Sequence, residues 1–181
     1  LEALASHKGS VLGVLPDAPQ PPQKAFETAL LSALQAFDPA RPIYVEAESR
    51  KIGNLHVPTA LIERIRQGEC LSIEATLAAR IDFLLGDYAY LPPRPEFLMS
   101  RLDALRGLQS GETISRWQAY VAAGEWPLLV GELLEQHYDP LYRRSQNRHY
   151  GQTPRRDFIT GDLSPAGVER LAAAIVDSGG N

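Results

Sequence analysis

Cysteine is nearly missing from this chain: Cys70 is the single one in 181 residues. No internal disulfide and no cysteine-based metal cluster can form from it. Chains that do without disulfides are typical of a reducing compartment, so a cytoplasmic location is expected. No apolar run approaches the roughly 18–20 residues that a helix needs to cross a bilayer, which argues against a membrane partner. The first residues, Leu1-Glu2-Ala3-Leu4, have neither the basic stretch nor the cleavage site of a signal peptide, and no initiator Met; a fragment of a longer chain is expected. A glycine loop of the form G-x-x-x-x-G-K-[ST] is also lacking, so the chain does not by itself cradle a triphosphate in the usual way. Its histidines, His7, His56, His137 and His149, are scattered without a metal-ligand spacing, and no metal site is expected from them. Finally, basic charge is not in excess. The formal net charge of −4 argues against indiscriminate nucleic-acid binding.

What is present suits a folded α/β protein. Hydrophobic residues make up 44% and charged residues 22% of the chain, which excludes disorder as a description of the whole. The stretch through Pro22 is rich in Gly and Pro and reads as a loop leading into a helix. From Gln23 to Phe37, the residues Phe26, Leu30, Leu31, Leu34 and Phe37 fall on one helical stripe, ended by Asp38-Pro39. Ile43 to Ala47 reads as a short buried parallel strand that turns acidic toward its end. Residues 58–66 predict a short helix and 70–73 a second strand. Leu77, Ile81, Leu84, Leu85 and Tyr88 then mark an amphipathic helix stopped by Pro92-Pro93. Beyond it the pattern is helical only. One helix covers 97–108. The next is N-capped by Ser110, turns Ile114, Trp117 and Val121 inward and ends at Gly124. A third has Pro127 in its first turn and carries Leu129, Leu133 and Leu134 ahead of Pro140. Residues 158–160 predict a last strand. Ser164-Pro165 caps a final helix that buries Val168, Leu171, Ala172 and Ile175.

Strands alternating with helices imply a parallel sheet with crossover helices. Three strands make a narrow sheet with bare edges, so further strands ahead of Leu1 are expected.

Three segments carry chemistry. In His7-Lys8-Gly9-Ser10, a basic pair beside Gly and Ser can approach a phosphate closely, although such tetrapeptides are also ordinary solvated turns. In 45–53, Glu46, Glu48, Arg50 and Lys51 emerge where a strand ends, which is where open α/β sheets place ligands. Glu46 and Glu48 share one strand face and can hold Mg²⁺ through water. Arg50 suits bidentate phosphate contact and Lys51 a point-charge contact. A salt-bridged strand exit is the plain alternative. Between Tyr142 and Arg156 the chain carries Arg143, Arg144, Arg148, Arg155, Arg156 and His149 and no acid. Arginine interleaved with Tyr and His suits looped RNA, the guanidinium meeting phosphate and the rings stacking on bases. A solvated helix end is the alternative there. Cys70 lies in an apolar strand run and reads as core rather than nucleophile; Trp117 and Trp126 read as packing residues.

The blocks Leu1-Glu2-x-Leu4-Ala5-x-His7-Lys8-Gly9-Ser10, Gln20-Pro21-x-Gln23-x-x-Phe26-Glu27, residues 45–53 (V-E-A-E-S-R-K-I-G) and residues 137–145 (H-Y-D-P-L-Y-R-R-S) run in order over nearly the whole chain. Together they resemble the bacterial tRNA 2-selenouridine synthases. The resemblance implies an N-terminal rhodanese domain joined to a P-loop domain. It also implies an activity on the wobble uridine of tRNA: selenium from selenophosphate replaces the sulfur of 2-thiouridine through a geranylated intermediate. The selenium-carrying cysteine and the phosphate loop are implied to lie ahead of Leu1. Lys8 departs from the pattern, which has Arg there, so a forked donor becomes a point charge.

The expected fold is thus α/β: a truncated P-loop-like parallel sheet with crossover helices and a mostly helical insertion. Residues 1–91 would form the partial P-loop-like region, 92–150 the insertion, and 151–181 the last strand and helix. No catalytic residue is expected in the chain. His7, Lys8, Ser10, Glu46, Glu48, Arg50, Lys51 and Arg80 are the candidates for phosphate or substrate, and Arg143, Arg144 and Arg148 for tRNA. Selenophosphate and geranyl diphosphate would be co-substrates, with Mg²⁺ accompanying a diphosphate; tRNA and the rhodanese and P-loop segments would be the partners. Two rivals stand beside this reading. One is a small-molecule kinase with Arg80 and the arginine stretch as a phosphate lid, the other a helical adaptor for an acidic protein.

Overall fold

The computed structural model describes residues 1–47, 49–150 and 153–179. The chain divides into two compact units, 1–68 and 69–181.

The first unit opens with a single helical turn, α1 (Glu2–Ala5), closed by Ser6 in the left-handed region at φ 48°. Pro21 and Pro22 then lead into α2 (Gln23–Ala36), as the apolar spacing requires. Phe26 and Leu30, one turn apart, bury its inner face with Ala5, Ile52, Leu55, Val57 and Ile62. Each large side chain so buried contributes about 1.5–3 kcal/mol. The stripe is only half used: Leu31, Leu34 and Phe37 remain 56%, 37% and 47% exposed.

Two-residue strands, β1 (Lys51–Ile52) and β2 (Leu55–His56), pair antiparallel around Gly53-Asn54, and α3 (Thr59–Arg66) follows. Gly53 takes φ +58°, the left-handed conformation that a two-residue hairpin loop demands. The strand expected at 43–47 is not formed. Residues 43–47 belong to no sheet among the described residues, and Ile43, Tyr44 and Val45 are 45%, 51% and 38% exposed. Apolar content favoured a strand there, but a strand exists only where a neighbour takes its N–H and C=O groups.

The second unit contains β3 (Cys70–Ala75) and β4 (Arg155–Thr160). They lie parallel in register from Cys70 opposite Arg155 to Ala75 opposite Thr160. The connection between them runs through five helices. In α4 (Leu77–Asp87) the Thr76 hydroxyl accepts from the Ala79 N–H, satisfying one of the free donors of the first turn. After α5 (Pro95–Asp103), Ser110 caps α6 (Gly111–Ala123) in the same way, and Gly124 ends it at φ +71°. Leu102, Leu105, Ile114 and Trp117 are fully buried.

The helix beginning at α7 (Trp126–Leu133) runs on past Pro140. A π-helical turn (Leu134–Tyr138) carries it into α8 (Asp139–Tyr150). In that turn the Asp139 N–H reaches back five residues to the Leu134 carbonyl. Pro140 has no N–H to give to the Gln136 carbonyl, and the Gln109 carboxamide donates there instead at 3.1 Å. The broken rung is thereby mended from outside.

Ser164 caps α9 (Pro165–Ser178), with Pro165 in the first turn. The apolar face expected to be buried is not: Val168 is 42% exposed, Ala172 is exposed, and Leu171 and Ile175 are half-buried. Two strands are too narrow to cover a helix of this length, and on the strands themselves Ile73 and Ile159 are 52% and 81% exposed.

Candidate nucleic-acid interface

In the first unit, the tetrapeptide 7–10 belongs to a tight loop. His7 bridges to Val14, the Lys8 N–H donates to the Gly13 carbonyl at 2.8 Å, and Gly9 sits at φ 66°. A Cβ on Gly13 would lie 2.7 Å from the Lys8 backbone, so the loop closes only with glycine there. His7 is 5% exposed, and its ring packs over Gly53: a Cβ on that glycine would come within 2.8 Å of the imidazole. The loop and the β1–β2 turn are thus brought together, with Lys8 and Ser10 half-buried and His7 inside.

Arg50 and Lys51 are both exposed. The Arg50 guanidinium donates to Thr59 Oγ1 at 3.0 Å, at the first residue of α3. Cations are unfavourable at a helix N-terminus and anions favourable, so an anion gripped by Arg50 meets the helix's own positive end as well. Glu46 is turned to other work. Its Oε1 accepts from the Glu2 N–H at 3.0 Å. Glu48 lies outside the described residues. Among the described residues no three His, Cys, Asp or Glu side chains gather as metal ligands.

In the second unit the arginines separate into two kinds. Arg80 meets Asp139 through two bonds of 3.0 and 2.6 Å, tying α4 to the start of α8. That pairing keeps the Asp139 carboxyl below its ordinary pKa, against the opposing effect of burial. Arg155 pairs with Asp157, and Arg156 binds Glu69 and the Ser178 carbonyl. Arg143, Arg144 and Arg148 are different. All three are exposed on α8, beside Tyr142 at 61% exposure. Among the described residues, Arg144 and Arg148 have no acidic partner within ion-pair distance. Arg144 and Arg148 stand four apart on one helical face, an arrangement of like charge that costs an isolated helix about 0.2–0.5 kcal/mol.

The α7 segment and the π turn that lead into α8 are well bonded. His137 is buried at 3% exposure, and burial lowers its pKa; its Nδ1 lies 3.3 Å from the Gln109 carboxamide. Glu132 accepts from Arg116, the Trp117 indole and the Tyr120 hydroxyl at 2.9–3.0 Å. A cleft of about 610 Å³ also opens between α4 and the start of α9. Asp82, Asp87 and Asp162 line it, which disfavours phosphate.

Sequence reasoning missed the hairpin at 51–56, although Gly53-Asn54 between Ile52 and Leu55 is a hairpin signal. It also missed Gln20, Gln23 and Gln109, whose carboxamides bind backbone groups far away in the chain. Among the described residues no helix is long and apolar enough to cross a membrane.

A parallel strand pair joined through a mostly helical insertion makes this an α/β protein, part of a P-loop-like domain. Sequence comparison narrows the class. Residues 1–110 match the family described as the tRNA 2-selenouridine synthase AAA domain, and the chain belongs to that family. A tRNA 2-selenouridine synthase of Alcanivorax borkumensis is 30% identical over 83% of this chain and 49% of its own length. One from Marinobacter nauticus is 29% identical over 84% of this chain and 49% of its own. One from Nitrosomonas europaea is 35% identical over 51% of this chain and 25% of its own. The chain therefore spans half or less of these curated relatives. No solved structure matches it.

Proposed function

We propose that this chain is the phosphate- and RNA-gripping part of an enzyme that converts 2-thiouridine to 2-selenouridine at the wobble position of tRNA through a geranylated intermediate. The parent is a transferase, with selenophosphate and geranyl diphosphate as co-substrates and with rhodanese and P-loop segments as the chain's own partners. The residues that carry the chemistry lie in those segments. This chain supplies grip.

One observation carries the reading. Arg144 and Arg148 are exposed on one face of α8 without an acidic partner among the described residues. Like charges four apart are costly unless a third, negative partner joins them, and a nucleic-acid backbone is such a partner. Tyr142 offers a ring for an unstacked base on the same helix. In the first unit Arg50, Lys51, Lys8 and Ser10 serve a diphosphate or a second stretch of backbone, with His7 packed beneath them. Glu46 and Glu48, which precede Arg50 in the sequence, are the acids that would accompany Mg²⁺ on a diphosphate. Arg80 contributes indirectly, by holding Asp139 at the base of α8.

The test is tRNA binding across a salt series. The double variant Arg143→Ala/Arg144→Ala flattens the slope of log K against log salt by up to about two units. An unchanged slope refutes the role of α8. The kinase alternative is weakened by Arg80, whose guanidinium is committed to Asp139 rather than poised as a lid.

A further inference from the structure

The β1–β2 hairpin presents Arg50 and Lys51, yet it has little to hold it. Its strands are two residues each, and an isolated hairpin is marginal even when longer. The missing neighbour is supplied by side chains. Gln23, the first residue of α2, donates from Nε2 to the His56 carbonyl at 2.8 Å and accepts the His56 N–H on Oε1 at 2.9 Å. These are the two bonds that an adjacent strand would make with that residue. Gln20 does the same one step further along. Its Nε2 donates to the Ile52 carbonyl at 2.9 Å and to the Ala5 carbonyl at 3.2 Å, while its Oε1 accepts the Asn54 N–H at 2.7 Å.

The register makes this support local to the cations. His56, held by Gln23, is the residue paired with Lys51. The Arg50 carbonyl accepts from the Val57 N–H at 3.0 Å, which carries the ladder one residue past the formal strand. Gly53 completes the fit. A Cβ there would stand 2.2 Å from Gln20 Oε1, so the carboxamide lies directly on the turn and only glycine admits it. Pro21 and Pro22 fix the backbone between the two glutamines.

We infer that Gln20 and Gln23 are positioning residues: their carboxamides act as a substitute third strand that holds the hairpin, and through it Arg50 and Lys51, in the conformation that meets phosphate. This rests on the proposed phosphate role of Arg50 and Lys51, and the experiment separates the two claims.

Isosteric variants Gln20→Met and Gln23→Met, singly and together, remove the hydrogen bonds and keep the volume. They are made in the full-length protein beside Arg50→Ala/Lys51→Ala, and binding of unfractionated tRNA is followed across a salt series well below the melting temperature. Amide exchange is read in parallel at Asn54 and His56, with Leu30 as the core reference. Exchange at Asn54 and His56 quickens about tenfold or more in the glutamine variants while Leu30 holds. The salt slope flattens by one to two units, matching the loss in Arg50→Ala/Lys51→Ala. A general loss of stability would not change the slope of the molecules that remain folded. If the cation variant flattens the slope and the glutamine variants do not, the inference is overturned and the phosphate role stands. If the cation variant leaves the slope unchanged, the phosphate role fails and the positioning claim falls with it. Should each single variant fail to fold, the glutamines determine the fold rather than aim the cations, and the inference is equally wrong.

Discussion

In the unit formed by 1–68, the candidate cations sit on a hairpin two residues wide, propped by glutamine carboxamides. In 69–181 they ride α8, the end of a helix that runs unbroken from Trp126 to Tyr150 and whose buried residues all lie ahead of α8. Both arrangements leave guanidinium groups exposed, but they resist disturbance differently. A hairpin held by a handful of hydrogen bonds can be loosened one bond at a time. A helix anchored by Leu129, Leu133 and Leu134 in its first part is loosened only by disturbing that buried anchor. Arginine alone therefore says little about function. What matters is whether the fold has already given it a partner, as for Arg80, Arg155 and Arg156, or has not, as for Arg144 and Arg148.

The largest effect should come from the core of the 69–181 unit. Trp117 is fully buried and its indole donates to Glu132. Trp117→Ala should cost the 69–181 unit about 3–5 kcal/mol in a denaturant melt. Amide protection of Leu30 and Ile62 in the 1–68 unit should be retained, and its loss would mean that the units do not stand apart energetically. Next comes Gln109→Ala, which strips the Gln136 carbonyl of the donor that replaces Pro140's missing N–H. It should cost about 0.5–1.5 kcal/mol. A neutral result would mean that water mends the π turn as well as the carboxamide does.

Acid sharpens the same contrast. Asp139 has a lowered pKa in the folded state, so the unfolded chain binds the proton more readily. Its contribution is whole above the ordinary carboxylate range and fades as pH falls through the lowered value. Arg80→Ala should remove that share of the acid sensitivity, read as a shallower fall of melting temperature between neutral and acidic pH; an unaltered profile would deny the pair its role. The smallest effect carries the most information. Arg144→Glu should stabilise α8 by about 0.2–0.5 kcal/mol, because a like-charge pair becomes an opposite one, while weakening tRNA binding. Stability and binding moving together would contradict the reading.

Where local chemistry decides, the sequence was legible. Ser110 and Gly124 bracket α6, Ser164 starts α9, and the 3.6-residue spacing of Ile114, Trp117 and Val121 buries the face it predicts. Where a distant partner decides, it was not. Residues 43–47 have strand composition but no pairing strand among the described residues, so they stay outside any sheet and exposed. Pro140 looks like a stop until Gln109 is found 27 residues upstream of Gln136. The residue types of the candidate site were readable, and their partners were not. Arg80 meets Asp139 across 59 positions and Arg156 meets Glu69 across 87, distances over which periodicity carries no information. The role of two glutamines as a stand-in strand left no pattern at all beyond their presence beside a proline pair.

The central claim is that α8 arginines without acidic partners meet the nucleic-acid backbone, whereas arginines already paired do not. It is tested most directly by comparing two variants, Arg144→Ala/Arg148→Ala and Arg155→Ala, in tRNA binding over a salt series. The account predicts a slope shallower by about two units for the first and unchanged for the second. Equal slopes for both variants would contradict it.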